Sequence, residues 1–182
     1  LGLGVSLSFL SVNNISYNVL GAIALFASLY HVVNHAIYKS LLFMVAGSIY
    51  YRTGSRDLDV LGGLSKYMPL TALAAIIGIL SITGIPPFNG FISKWLLYSS
   101  TIGSGTPYVI MGILLLFTGG ITIAVYIKFY TTIFTRPPKK PYTREIKESP
   151  PTITLPLVSL AILCILFGLF PIIPWYIIGD FI

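Results

Sequence analysis

Apolar residues run through this chain in long blocks separated by short polar stretches. Residues 1–10, 19–51, 68–85, 86–101, 107–134 and 152–170 are each dominated by Leu, Ile, Val, Phe, Ala and Gly. Blocks of this kind read as helices that cross a bilayer, which takes about 20 apolar residues per crossing. The first block, 1–10, is only about 15 Å long as a helix. It reads as the end of a span that begins before Leu1, so the chain reads as part of a longer one. A polar turn at 11–18 follows. Block 19–51 would be roughly 50 Å long if unbroken, so it must tilt, protrude or be interrupted. Between 68–85 and 86–101 stand Gly84, Pro86, Pro87 and Gly90, which no helix passes undisturbed. Pro171 and Pro174 end the last block, and Trp175 and Tyr176 suit the headgroup level, so 171–182 reads as an interfacial tail. The pattern predicts an all-α integral membrane protein in a single membrane domain, 1–182. It has about five transmembrane helices plus a partial one, and includes a broken helix.

Composition closes the soluble alternative. Of 182 residues, 55% are hydrophobic and 9% charged, and the mean hydropathy is +0.89. A soluble domain carries about a quarter charged residues. The formal charge of +6 does not point to nucleic acid, because its placement is that of membrane loops. Arg136, Lys139, Lys140, Arg144 and Lys147 face Glu145 and Glu148 in the loop 135–150, a local balance of +3. A short basic loop beside a span marks the cytoplasmic side, and the expected location is the cell membrane, a prokaryotic plasma membrane. The connector 52–67 is balanced only to +1, and with three crossings between them the two loops would face opposite sides. The lone Cys164 reads as a small buried hydrophobe. Without CxxC, clustered cysteines or a His/carboxylate set, the chain is expected to hold no metal and no iron–sulfur cluster of its own. Gly103-Ser104-Gly105-Thr106 lacks the lysine of a phosphate loop, and no Ser–His–Asp set supports hydrolysis.

Three residues inside block 19–51 carry chemistry. His31, His35 and Lys39 are spaced i, i+4, i+8, so they line one helix stripe with steps of roughly 6 Å, a gap that suits one bridging water. An ionisable side chain at such depth normally faces a polar cavity on a transport path. Low dielectric disfavours an ammonium, so a lysine placed there gains or loses a proton when a nearby charge moves. Each histidine alone reads equally as a core residue bonded to a carbonyl. Lys94 follows the break formed by Pro86, Pro87, Asn89, Gly90 and Ser93. Broken spans expose carbonyls and helix ends where transporters place ions, and Asn89 and Ser93 are expected to order water beside Lys94, as Asn34 is within the histidine stripe. The competing reading of Lys94 is a helix-end lysine snorkelling to headgroups, which also accounts for Lys128. The five acids all lie in loops or near the C-terminus, so any partner carboxylate for a proton path comes from elsewhere.

These residues carry a resemblance. His31-Val-Val-Asn34-His35-Ala-Ile-Tyr-Lys39, then Gly54-Ser-Arg56-Asp57-Leu with Gly62-Gly63, then Met68-Pro69, then Gly84-Ile-Pro86-Pro87-Phe-Asn-Gly90-Phe-Ile-Ser93-Lys94-Trp resemble one superfamily, in the same order. It comprises the antiporter-like subunits of respiratory complex I, of Mrp-type cation/proton antiporters and of membrane-bound energy-converting hydrogenases. The variants around Arg56-Asp57 and Pro86-Pro87 are most similar to the hydrogenase-4 and formate hydrogenlyase branch. The resemblance implies a subunit of about fourteen spans made of two inverted repeats, of which this chain would be the second. The first repeat, with its glutamate–lysine pair, would be missing. It further implies that His31, His35 and Lys39 belong to a central hydrated axis and that Lys94 is the lysine of the broken span near the proton exit. No redox cofactor is implied here; iron–sulfur, nickel–iron or quinone sites would belong to partner subunits. The leading expectation is a proton-translocating subunit, itself without a redox centre, in a redox-driven oxidoreductase complex. Its partners would be other membrane subunits, the missing N-terminal half and lipid. The alternatives are an Mrp-type sodium/proton antiporter subunit and a structural half-subunit needed for assembly.

Overall fold

A computed structural model describes residues 15–102, 106–138, 142, 145–173 and 176. The expectations for 1–10 and for most of the tail 171–182 lie outside the described residues. The helices are α1 (Ile15–Thr53), α2 (Pro69–Thr83), α3 (Asn89–Ile102), α4 (Thr106–Tyr130) and α5 (Pro151–Leu169). A short 3-10 turn, Leu64–Lys66, precedes α2, and a π turn, Thr131–Thr135, continues α4. Among the described residues there is no strand. Val19–Thr53, Tyr108–Thr135 and Pro151–Leu169 are long and apolar enough to cross a membrane, and Pro69–Thr83 is a shorter apolar helix. The described part of the expected turn at 11–18 is helical, since α1 already begins at Ile15 and runs 39 residues without interruption.

Both ends of α2 are closed by hydrogen bonds. Pro69 opens the helix, where its missing N–H is no loss. At the other end Gly84 adopts φ 79°, a left-handed conformation that glycine takes without strain. Ile85 N–H then reaches Leu80 O at 3.0 Å and Gly84 N–H reaches Ser81 O at 3.1 Å, the pairing of a Schellman stop. The two prolines that follow, joined by a cis bond, occupy the break before α3.

The break does not reverse the chain. Ser48 pairs with Thr71, Leu42 packs on Gly78, Asn34 pairs with Asn89, and Phe26 and Tyr30 pack with Ile92 and Leu96. As numbers fall along α1 they rise through α2 and then α3. These two helices therefore form one broken path antiparallel to α1. Helix α4 returns, with Gly112 beside Thr101 near its start and Phe134 O accepting from Ser65 Oγ at 2.7 Å near its end. The core is built on Tyr38, Leu41 and Val45 of α1, Ala72 and Ala75 of α2, and Leu157, Ala161 and the free Cys164 of α5.

Because α2 and α3 make a single traverse, loops 52–67 and 135–150 sit at the same end. This corrects the expectation of opposite sides. Tyr142 Oη donates to Gly62 O at 2.6 Å and accepts from Gly62 N–H at 2.9 Å. A Cβ on Gly62 would come within 2.7 Å of Arg136 O, so the two loops touch backbone to backbone. Further along, Arg52 Nη2 donates to the Glu148 carbonyl. Buried Ser48 Oγ lies 2.7 Å from Ser149 Oγ and 3.1 Å from Thr71 Oγ1.

Candidate functional site

Midway along α1 a polar stripe meets the helix break. His31 and His35 lie one turn apart with ring centroids 6.2 Å apart and planes tilted by 47°. This separation is too wide for a direct hydrogen bond. His31 Nδ1 instead meets Ser93 Oγ of α3 at 3.0 Å. Close by on α1, the fully buried Asn34 donates from Nδ2 to Asn89 O at 3.0 Å, and Asn89 Nδ2 donates to Asn34 Oδ1 at 3.1 Å. The carboxamide pair fixes the start of α3 against α1. A buried amide left unpaired there would be costly, so the pairing sets register as well as stability.

Lys94, one residue beyond Ser93, turns toward the protein. Its Nζ donates to Ile82 O at 2.7 Å and Thr83 O at 3.3 Å. The Schellman stop satisfies Leu80 O and Ser81 O, so Lys94 takes the two carbonyls it leaves among the last four of α2. An ammonium there also faces the negative end of the helix dipole. Asn89 and Ser93 were expected beside Lys94; they bond instead to Asn34 and His31. The reason is direction: on α3 the side chains of 89 and 93 face α1, whereas that of 94 faces back to α2. Gly90 makes this packing possible, since a Cβ on it would sit 1.8 Å from Ser81 O.

Lys39 lines a cleft of about 330 Å³ between α1 and α4, together with Leu42, Phe43, Val125, Tyr126 and Phe129. It stays within electrostatic reach of His35, as Lys94 does of His31. Tyr38 is a neighbour that the pattern of charges along the chain did not single out. This buried residue stands edge-on to His35 at 5.4 Å and to His31 at 6.5 Å between centroids, with Tyr126 packed on its core cluster. Its position three residues after His35 and seven after His31 was the available signal. His35 is exposed on the described bundle. Among the described residues no group of three or more His, Cys, Asp and Glu is arranged to hold a metal ion.

The fold and the site together define an all-helical integral membrane protein whose broken helix presents Asn89 and Ser93 to a polar stripe and turns Lys94 back onto its own first half. The chain matches the family model described as NADH:quinone oxidoreductase/Mrp antiporter, transmembrane, over residues 5–122. It is 36% identical over 177 residues to hydrogenase-4 component B of Escherichia coli K12, covering 93% of this chain and 26% of that protein. It is 34% identical over 166 residues to a Na(+)/H(+) antiporter subunit of Alkalihalophilus pseudofirmus, covering 86% of this chain and 21% of that protein. Among solved structures, a chain of the membrane-bound sulfane sulfur reductase, an archaeal respiratory membrane complex, superposes with a TM-score of 0.73 at 32% identity. That match covers 92% of this chain and 26% of the other. The chain belongs to the NADH:quinone oxidoreductase/Mrp antiporter transmembrane family, and it spans about a quarter of the length of the relatives it matches.

Proposed function

We propose that this chain supplies the second-repeat part of a proton-translocating, antiporter-like subunit in a redox-driven membrane complex of the complex I or membrane-bound hydrogenase kind. His31, His35, Lys39 and Lys94 relay protons. The observation that carries the reading is that Lys94 does not reach for headgroups: its ammonium is held inside, on the free carbonyls of Ile82 and Thr83. The adjacent Ser93 holds His31. A proton arriving on one imidazole nitrogen leaves from the other, and Ser93 Oγ, both donor and acceptor, lies on that side. A new cation at His31 repels the ammonium of Lys94 and favours release of its proton. At the far end of the stripe, His35 would hand charge to Lys39 through a bridging water.

Electron transfer would occur in partner subunits, which would hold any iron–sulfur, nickel–iron or quinone site. The loop 135–150 would face the cytoplasm by its positive charge, and loop 52–67, bound to it, would share that side. The exposed His35 would be covered by the preceding half of the longer protein. Replacing Lys94 or Lys39 with Ala in the full-length protein, reconstituted in vesicles with its complex, should cut proton translocation by about 100-fold, the usual worth of a positioned proton-transfer group. Undiminished pumping removes the relay.

A second reading, a sodium/proton antiporter subunit without redox chemistry, is favoured by the 34% identity to the Alkalihalophilus pseudofirmus protein. Purification of the native complex separates the two. A hydrogenase-like or quinone-reducing partner supports the first; sodium-dependent proton flux without one supports the second.

A further inference from the structure

Glu148 lies in a loop, takes no part in the relay, and yet its carboxylate collects four donors. Oε2 accepts from Leu70 N–H at 2.8 Å and Thr71 N–H at 3.4 Å. Oε1 accepts from Thr71 Oγ1 at 2.6 Å and Ser149 N–H at 3.3 Å. The amides are those that α2 leaves open, since Pro69 has none and Ala72 N–H already reaches Met68 O at 2.9 Å. An anion at this end also faces the positive pole of the helix dipole. Ser48, on α1, ties the assembly sideways through Thr71 Oγ1 and Ser149 Oγ.

Helix α2 is thus held at its first turn by a carboxylate and at its last by the Lys94 ammonium, both brought from elsewhere in the chain. Between them its contact with α1 is apolar, Gly78 against Leu42, and apolar contact has no direction. The charged groups that fix the axial position of this 15-residue rod against its neighbours are the two end clamps, with Ser48 bonded to Thr71 beside the first. We infer that Glu148 is a positioning residue for the relay: by clamping the loop end of α2 it sets where the Ile82 and Thr83 carbonyls stand, and so where Lys94 holds its proton. The inference rests on the reading of Lys94 as a relay group.

The test uses the full-length protein in its complex, with Glu148→Ala, Glu148→Gln and Thr71→Val. Two quantities are read: hydrogen exchange of the 70–71 amides and the pH profile of proton translocation. Loss of the cap should speed exchange about fivefold or more in Glu148→Ala. Glu148→Gln, which keeps one acceptor oxygen, should fall between it and the parent. The midpoint of the pH profile should move in the same order. If Glu148→Ala does not accumulate, the Gln and Val variants decide. Faster exchange with an unmoved pH profile overturns the positioning role and leaves only a structural cap; unchanged exchange overturns the clamp itself. The exchange arm is independent of transport. A Lys94→Ala protein that still pumps sinks the relay reading separately, and with it the link from clamp to proton.

Discussion

Asn34 and Asn89 exchange two hydrogen bonds in a place with no exposure, and this reciprocity makes either one hard to lose. Asn34→Leu removes both partners of Asn89 while leaving its amide buried. The expected loss is about 1–3 kcal/mol, read as a lower melting temperature of the purified protein; an unchanged melting temperature would mean the pair contributes nothing. Gly90 is tighter still. In the sequence it reads as a helix breaker, but it lies within α3 and matters by its lack of a Cβ, 1.8 Å from Ser81 O. Gly90→Ala must push backbone from backbone, and overpacking of that kind costs about 1–3 kcal/mol or more. At the residue scale, His31, His35, Lys39 and Lys94 stand out in the sequence because a charge in an apolar run is rare. Their partners do not, because a hydrogen bond between residues 31 and 93 leaves no periodicity to read.

Helix α2 shows how an element can be legible while its ends are not. Pro69 and Gly84 are visible punctuation, and the helix runs Pro69–Thr83 between them. Its two clamps, Glu148 and Lys94, lie 77 residues downstream of Thr71 and 11 downstream of Thr83. Within 135–150 the sequence presents Glu148 as charge balance alone. The same loop carries a pH-sensitive tie. Burial pushes the Tyr142 phenol above its usual value of 10, helped by Tyr67 and opposed by its bond to Gly62. A group raised in the folded state stabilises below its unfolded value and loses that contribution as pH rises through the folded one. The Tyr142–Gly62 tie should therefore hold at neutral pH and be lost above pH 10. Proteolysis within 135–150 should accelerate there in the parent protein, while Tyr142→Phe, which lacks the titrating hydroxyl, should show no such step.

Over the whole molecule, the main consequence of the break is topological. One traverse shared by α2 and α3 places both charged loops at one end, bound through Tyr142 on Gly62 and Arg52 on the Glu148 carbonyl. Single cysteines at Leu58 and Pro137, in a cysteine-free full-length background, should react with an impermeant maleimide from the same face of the membrane. Labelling from opposite faces would contradict the loop contacts. The outward face of α4, with Ile110, Leu114, Phe117, Ile121 and Val125 exposed, is apolar, as a lipid-facing or subunit-facing surface in a bilayer requires.

Hydropathy and the rarity of buried charge are local quantities. The order of residues alone therefore determined that this is a helical membrane protein and which basic side chains stand apart. Direction is not local. Whether a chain turns back at Gly84 or goes on depends on which surface α3 finds, and that surface belongs to a helix some 55 residues earlier, as Asn34 and Asn89 show. Only the packed structure decided that α2 and α3 form one crossing, that Lys94 turns inward to close a helix, and that the two charged loops meet. Each of those outcomes is set by hydrogen bonds between residues far apart in number, which must be satisfied once water is excluded.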